Sequence, residues 1–333
     1  MESFLFAVNS VMPIILMVVI GYFVKAIGFV DSDFVKRGNK LVFRLFLPAM
    51  LFLNVYKIDN LAEIDFTYVG YAVTVTLLVF CVMIPVSMAV TGDSRTRGSL
   101  LQGSFRSNYA LVGIPLATSL FGEEGAMVAT FLSVALIPTY NILAVVSLTL
   151  FKKGSDGERG ALKLILRVVR GIIKNPLIIS IAAGCVALLV RALFVNAGIG
   201  FRLSSVVPIY KVLESLSAVA TPLSLIVLGA QFEFSAVKSL RREIIIGVAV
   251  KGVIVPILGL GTAYFLFGDR FGGAHFAAFV AAFATPTGVS TVPMAQEMDA
   301  NVTLSGQLVV WTTILSGFVI FIASFILKQV GIF

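Results

Sequence analysis

The chain has 333 residues, of which 59% are apolar and 13% charged, with a mean hydropathy of +1.03. A soluble domain of that length needs more polar surface to cover its core, so lipid must cover much of this one. The formal charge of +8 sits in short loops between apolar runs and forms no continuous basic face with interleaved aromatics, which argues against a nucleic-acid partner.

A hydrocarbon core of ~30 Å takes about 20 apolar residues per helix. Helices are the expected element, because a backbone in lipid must satisfy its own hydrogen bonds. In chain order, the charge-poor runs predict ten spanning helices near 5–24, 41–56, 67–91, 99–120, 126–151, 175–195, 213–232, 243–267, 274–296 and 304–328. The first run comes after Met1-Glu2-Ser3 without a basic n-region, and no small-residue cleavage site lies beyond it, so it reads as a mature helix. Cys81 and Cys185 fall within apolar runs and read as packing residues, with neither a disulfide framework nor a metal cluster in prospect. No cofactor is expected.

Threading the spans with the amino terminus outside places most cations in inner loops. Those loops hold Lys25, Lys36, Arg37, Lys40 and Arg44; Arg95, Arg97 and Arg106; Lys152, Lys153, Arg159, Lys163, Arg167, Arg170 and Lys174; and Lys238, Arg241 and Arg242. The outer side holds only Lys57, Arg191, Arg202, Lys211, Arg270 and Lys328. The excess of positive charge sets the orientation, with both termini extracytoplasmic in a multi-pass inner-membrane protein. The polar segment 152–174 begins with Gly154-Ser155-Asp156-Gly157 near its start and then carries Lys163, Arg167 and Arg170 on one helical face. It reads either as an amphipathic helix on anionic headgroups or as a solvated linker. Either way it divides a first five-helix unit, 1–151, from a second, 175–333.

Proline and glycine positions repeat across that divide. Pro13 and Gly21 stand eight apart, as do Pro176 and Gly184. Leu47-Pro48-Ala49-Met50-Leu51-Phe52 answers Thr221-Pro222-Leu223-Ser224-Leu225-Ile226, Pro85 answers Pro256, and Pro115 answers Pro293. Because each unit has an odd number of spans, the two cross the membrane in opposite directions, giving a 5+5 inverted repeat of the kind found in secondary transporters.

The fourth span contains Arg106-Ser107-Asn108-Tyr109-Ala110-Leu111-Val112-Gly113-Ile114-Pro115, and the ninth contains Thr285-Pro286-Thr287-Gly288-Val289-Ser290-Thr291-Val292-Pro293. Proline removes a backbone donor and glycine tolerates unusual torsions, so both spans should be interrupted near mid-membrane, with Gly113, Pro115, Pro286, Gly288 and Pro293 at the breaks. Exposed amides there must pack in protein or line a wet cavity, and the half-helix amino ends favour an anion. Asn108, Tyr109, Thr285, Thr287, Ser290 and Thr291 are the candidate substrate-binding residues. The simpler alternative is that these prolines only kink the helices. Lys251, well inside the eighth span, answers a substrate carboxylate, or else snorkels to the inner interface or binds helix-end carbonyls across the break. Intramembrane acids are nearly absent, with Glu214 and Glu297 near span ends, which argues against a dense cation site, and His275 reads as structural.

At these residues the sequence resembles the auxin efflux carrier family, which includes plant PIN auxin exporters and bacterial malate-type permeases. The most specific piece is Asn108-Tyr109-Ala110-Leu111-Val112-Gly113-Ile114-Pro115-Leu116 with Phe121-Gly122 beyond it. Supporting pieces are Leu47-Pro48-Ala49-Met50-Leu51-Phe52, Asn175-Pro176-Leu177, Thr221-Pro222-Leu223 through Leu228-Gly229-Ala230, and Lys251 with Pro256. The resemblance implies an all-α membrane fold similar to bile-acid symporters and sodium/proton antiporters. Helices 1, 2, 6 and 7 would form a scaffold and 3–5 with 8–10 a moving transport domain. It also implies a homodimer through the scaffold, broken helices crossing at their prolines, and an asparagine at the position of Asn108 touching substrate. Unlike the plant exporters, this chain has no long central hydrophilic loop and carries Thr285-Pro286-Thr287 at the ninth-helix break, so auxin itself is not implied.

The expected function is elevator-type export or facilitated movement of a small organic anion. The alternatives are sodium- or proton-coupled uptake on the same fold and a ligand-binding membrane receptor. An intramembrane enzyme is disfavoured, since no nucleophile and base pair or metal-ligand cluster falls within the spans.

Overall fold

The structure, a computed structural model, describes residues 2–58, 66–151 and 161–333. Every regular element in them is helical. In chain order these are α1 (Glu2–Ala26), α2 (Ser32–Leu41), α3 (Leu47–Tyr56), α4 (Phe66–Val90), α5 (Ser94–Phe105) and α6 (Ile114–Leu150). Then come α7 (Ala161–Ile173), α8 (Pro176–Asn196), α9 (Val207–Ala230), α10 (Ala236–Ser239), α11 (Arg241–Ala249), α12 (Val255–Phe267), α13 (Gly273–Phe283), α14 (Thr291–Glu297) and α15 (Val302–Gln329).

Seven helical stretches among the described residues are long and apolar enough to cross a membrane, and Met12–Ala26 and Gly273–Phe283 are shorter apolar helices. One of the seven, Tyr109–Leu150, would measure ~63 Å if straight, twice the hydrocarbon thickness. It is not straight. Gly122 adopts φ +57°, a left-handed torsion that disfavours any side chain, and Phe121 beside it is also non-helical. The Tyr109 hydroxyl then donates to the Ala129 carbonyl at 2.9 Å, so the chain doubles back at this point.

Prolines shape three helix entries, that of α6 among them. Each of the π-helical turns Val42–Phe46, Tyr109–Gly113 and Val250–Ile254 runs into a helix whose second residue is proline: Pro48, Pro115 or Pro256. The missing N–H orphans the carbonyl four residues earlier, which is that of Arg44, Leu111 or Gly252, and the ring crowds it. Widening the preceding turn relieves both. Pro85, by contrast, sits inside uninterrupted α4.

Two packed groups result. In one, α1 lies along α9, and α3 packs on α8 and α9. The α1–α9 contact is made at glycine, since a Cβ on Gly21 would run into the Ile226 carbonyl and one on Gly229 into that of Val18. In the other, α6 packs against α5, α4 and α13, while α15 packs against α5, α11 and α14 and also runs along α1 of the first group, joining the two. The outward faces remain apolar, as at Ile179, Leu189, Ile257 and Phe265, and Cys81 and Cys185 both point outward rather than into the core.

Residues 152–160 of the polar segment after α6, with Lys152, Lys153, Gly154-Ser155-Asp156-Gly157 and Arg159, lie outside the described residues, as do the side chains of Lys163 and Arg167; Ala161–Ile173 forms α7.

Candidate functional site

The spans predicted as fourth and ninth are both broken, and the breaks meet. Helix α5 ends at Phe105 and helical structure resumes at Tyr109; α13 ends at Phe283 and α14 begins at Thr291. Between them, Ser107 and Thr287 form an antiparallel bridge. The Asn108 N–H donates to the Pro286 carbonyl at 2.8 Å and the Gly288 N–H to the Arg106 carbonyl at 3.1 Å. Two interrupted backbones thus satisfy each other in a region where unsatisfied groups would each cost several kcal/mol.

The bridge explains where the prolines fall. Its donors are the N–H groups of Asn108 and Gly288, positions a proline could not fill, while Pro286 contributes only its carbonyl. Pro293 instead sits in the opening turn of α14, where an N–H is dispensable, and Pro115 follows the widened turn Tyr109–Gly113. The crossing therefore lies at 106–108 and 286–288, with Gly113, Pro115 and Pro293 further along their chains. At Gly288 a Cβ would meet the Ser107 carbonyl at 3.2 Å, so the close approach favours glycine.

The helix ends at the crossing are capped reciprocally. The Ser107 hydroxyl donates to the Ala282 carbonyl at the end of α13, and the Thr287 hydroxyl donates to the Gly103 carbonyl near the end of α5 at 2.8 Å. Lys251 completes the α13 end: its ammonium donates to the Phe283 carbonyl at 3.1 Å and to the Ser107 hydroxyl at 2.7 Å. A cation on terminal carbonyls is favoured by the helix dipole. Of the two sequence-level readings of Lys251, the geometry is that of helix-end binding.

Beside the crossing lies a small cavity of about 50 Å³. Of the candidate substrate-binding residues, Asn108, Tyr109 and Ser290 line it, together with Gly288 of the break. Thr285, Thr287, Thr291 and Lys251 do not; their polar groups bond to Ala281, Gly103, Gly288 and the Ser107–Phe283 pair respectively, so they build the crossing rather than face the space. The Asn108 side chain makes no hydrogen bond among the described residues and is 6% exposed.

The remaining wall contains residues that sequence reasoning missed: Arg106, Tyr140, Asn141, Thr221 and Ser224, with Leu47, Met50, Leu51 and Ile137 on the apolar side. Arg106 is the main correction. Charge counting places it in an inner loop, yet it is 4% exposed and lines the cavity. Its guanidinium donates to the Asn141 side-chain oxygen at 2.9 Å and contacts the Met294 sulfur at 3.2 Å. Asn141 in turn donates to the Ile137 carbonyl at 2.9 Å, which fixes the acceptor toward Arg106. Among the described residues, Arg106 and Lys251 are the only buried charged side chains, and both are cations. The ion pairs Arg44–Glu297, Lys57–Glu214 and Arg95–Asp299 lie elsewhere. His275, read as structural, packs its ring against Phe271 and Tyr68.

Comparison with known proteins identifies the family. Residues 6–324 match the family model for membrane transport proteins. An uncharacterised transporter of Methanothermobacter thermautotrophicus is 24% identical over 332 residues, spanning 94% of this chain and 96% of the relative. An uncharacterised transporter of Methanocaldococcus jannaschii is 24% identical over 238 residues, spanning 69% of this chain and 70% of the relative. The chain is therefore a multi-pass member of the membrane transport protein family, the auxin efflux carrier family that its fourth-helix residues resemble.

Proposed function

We propose that the protein is a secondary transporter that exports, or facilitates the movement of, a small organic anion such as a carboxylate, with the crossover cavity as its binding site. One observation carries the reading: a polar cavity at the meeting of two broken helices holds a buried cation, and among the described residues no buried acid accompanies it. An uncompensated charge in the membrane interior is expensive, and an anion arriving in the cavity removes that cost.

The packing supports alternating access by an elevator-like movement. The group of α1–α3, α8 and α9 is the scaffold, on the lipid-facing side of which a second copy would dimerise, and the group containing the crossing is the mobile unit. The reciprocal caps of Ser107 and Thr287 fit two units of opposite orientation, a 5+5 inverted repeat with ten crossings. Polar bonds join the two groups at one end. Asn39 in α2, wholly buried, donates to Gln231 at 3.0 Å and to Gln296 at 2.7 Å, and Arg44 pairs with Glu297 at 3.0 Å. In the orientation with both termini outside the inner membrane, these bonds close the cytoplasmic side and must open for release.

Lys251 bears on the coupling ion. Its ammonium already takes the helix-end carbonyl and hydroxyl that a sodium ion would need, which favours movement driven by membrane potential over sodium-coupled uptake. A monovalent anion leaving an inside-negative cell gains about 2.3 kcal/mol per 100 mV. In proteoliposomes, radiolabelled carboxylate flux should follow an imposed potential and ignore a sodium gradient. Flux indifferent to potential, sodium and pH gradients alike would overturn the driving force, and ligand binding without any counterflow would make the protein a receptor instead.

A further inference from the structure

We propose that Arg106 is the residue that receives the ligand's charge, pairing its guanidinium with a single carboxylate while the ligand's apolar body lies against Leu47, Met50, Leu51 and Ile137. The inference rests on the crossover cavity being the transport site.

Three features single out Arg106 over the other positive elements of the crossing. It lines the cavity, whereas Lys251 sits behind the bridge with its ammonium committed to Ser107 and Phe283. Its partners are neutral: the Asn141 oxygen and the Met294 sulfur hold the guanidinium in place without cancelling its charge. And a guanidinium has five N–H donors in a fixed fork, of which those two contacts leave the majority for a ligand. Asn141, bonded at both ends of its amide, is a positioning residue for Arg106.

Charge balance sets the ligand class. Among the described residues no aspartate or glutamate lines the cavity, and Arg106 is the one charged side chain that does, since Lys251 stays committed to Ser107 and Phe283 behind the bridge. One carboxylate therefore pairs with the one guanidinium in the wall, and the second carboxylate of a dicarboxylate finds no further cation there and is left desolvated. Leu47, Met50, Leu51 and Ile137 give the cavity an apolar part that accepts a hydrocarbon body.

The test uses purified full-length protein with three probes: 3-phenylpropanoate, its uncharged amide 3-phenylpropanamide, and succinate. Binding is read by thermal shift and by counterflow in proteoliposomes. Wild type should prefer the monocarboxylate over both other probes by at least tenfold. R106Q should lose the preference for acid over amide, and R106K, which keeps the charge without the fork, should retain it with about tenfold weaker affinity. Acid-over-amide preference surviving in R106Q overturns the assignment, and so does wild type binding the amide or succinate as well as the acid. If R106Q fails to fold, R106K binding with wild-type affinity overturns it. Arg106-dependent binding without counterflow would sink the transport reading and leave this one standing; counterflow unaffected by R106Q would do the reverse.

Discussion

Where α1 crosses α9, both helices are continuous through their internal prolines, Pro13 and Pro222, and Gly21 and Gly229 let the backbones approach within van der Waals contact. Where the fourth and ninth stretches cross, both helices are broken, each backbone satisfies the other, and Ser107, Thr287 and Lys251 cap the exposed ends. The first contact is insensitive to charge and intolerant of volume. The second tolerates little change in hydrogen bonding and concentrates positive charge beside a cavity. The difference separates what holds the molecule together from what lets it bind: of these two crossings, the broken one leaves polar groups facing empty space.

The sharpest way to break this comparison is by volume. Gly229→Leu drives a side chain into the Val18 backbone, which cannot move aside as a side chain could. Overpacking a core costs about 1–3 kcal/mol and more against backbone, so this variant should aggregate or elute as misfolded protein on size-exclusion chromatography. A monodisperse Gly229→Leu protein with wild-type thermal stability would mean that the α1–α9 contact is not a rigid element. The next effect is smaller and concerns hydrogen bonds. Ser107→Ala removes a donor to the Ala282 carbonyl and an acceptor for Lys251 in one step. Leaving buried groups unpaired costs about 1–3 kcal/mol. Ser215→Ala, at an exposed serine that only bonds back within α9, should stay within about 0.5 kcal/mol in the same melting series.

The sequence makes these two regions legible to different degrees. Glycine and proline are read through their backbone consequences, so the interruption of the fourth and ninth stretches is within reach of spacing alone. The crossing point is not, because it depends on which N–H groups are donors: Gly288 and Asn108 are read as belonging to the breaks, but nothing in their spacing pairs Gly288 with Arg106 or Asn108 with Pro286. Arg106 is misplaced for a related reason. Counting cations by loop treats a charge at the edge of an apolar run as solvated, and the apolar run itself starts only near residue 99. Asp93 with Thr96 three residues on is a helix-start signal that puts the beginning of α5 at Ser94. Twelve residues of helix then carry Arg106 ~18 Å from that start, well inside the bilayer.

That same start provides the mildest probe, and it sharpens the comparison by touching neither contact. The Asp93 carboxylate accepts from the Thr96 hydroxyl at 2.5 Å, from the Thr96 N–H at 2.9 Å and from the Arg95 N–H at 3.4 Å. The Thr96 hydroxyl bond is the largest reason its carboxyl is held below the usual carboxylate range, with the two backbone amides adding to it. Asp93→Ala should cost about 1 kcal/mol, the typical worth of a helix cap. A carboxyl depressed in the folded state stabilises above its unfolded value, about 3.9, and loses that contribution as pH falls through the folded one. The difference in melting temperature between wild type and Asp93→Ala should therefore be constant from neutral pH down to about pH 5 and shrink below about pH 4. Because the cap lies at the far end of α5 from Arg106, any preference for acid over amide should be unchanged in this variant. A change there would mean that the position of Arg106 is set by the start of α5, rather than by Asn141, Met294 and the backbone bridge.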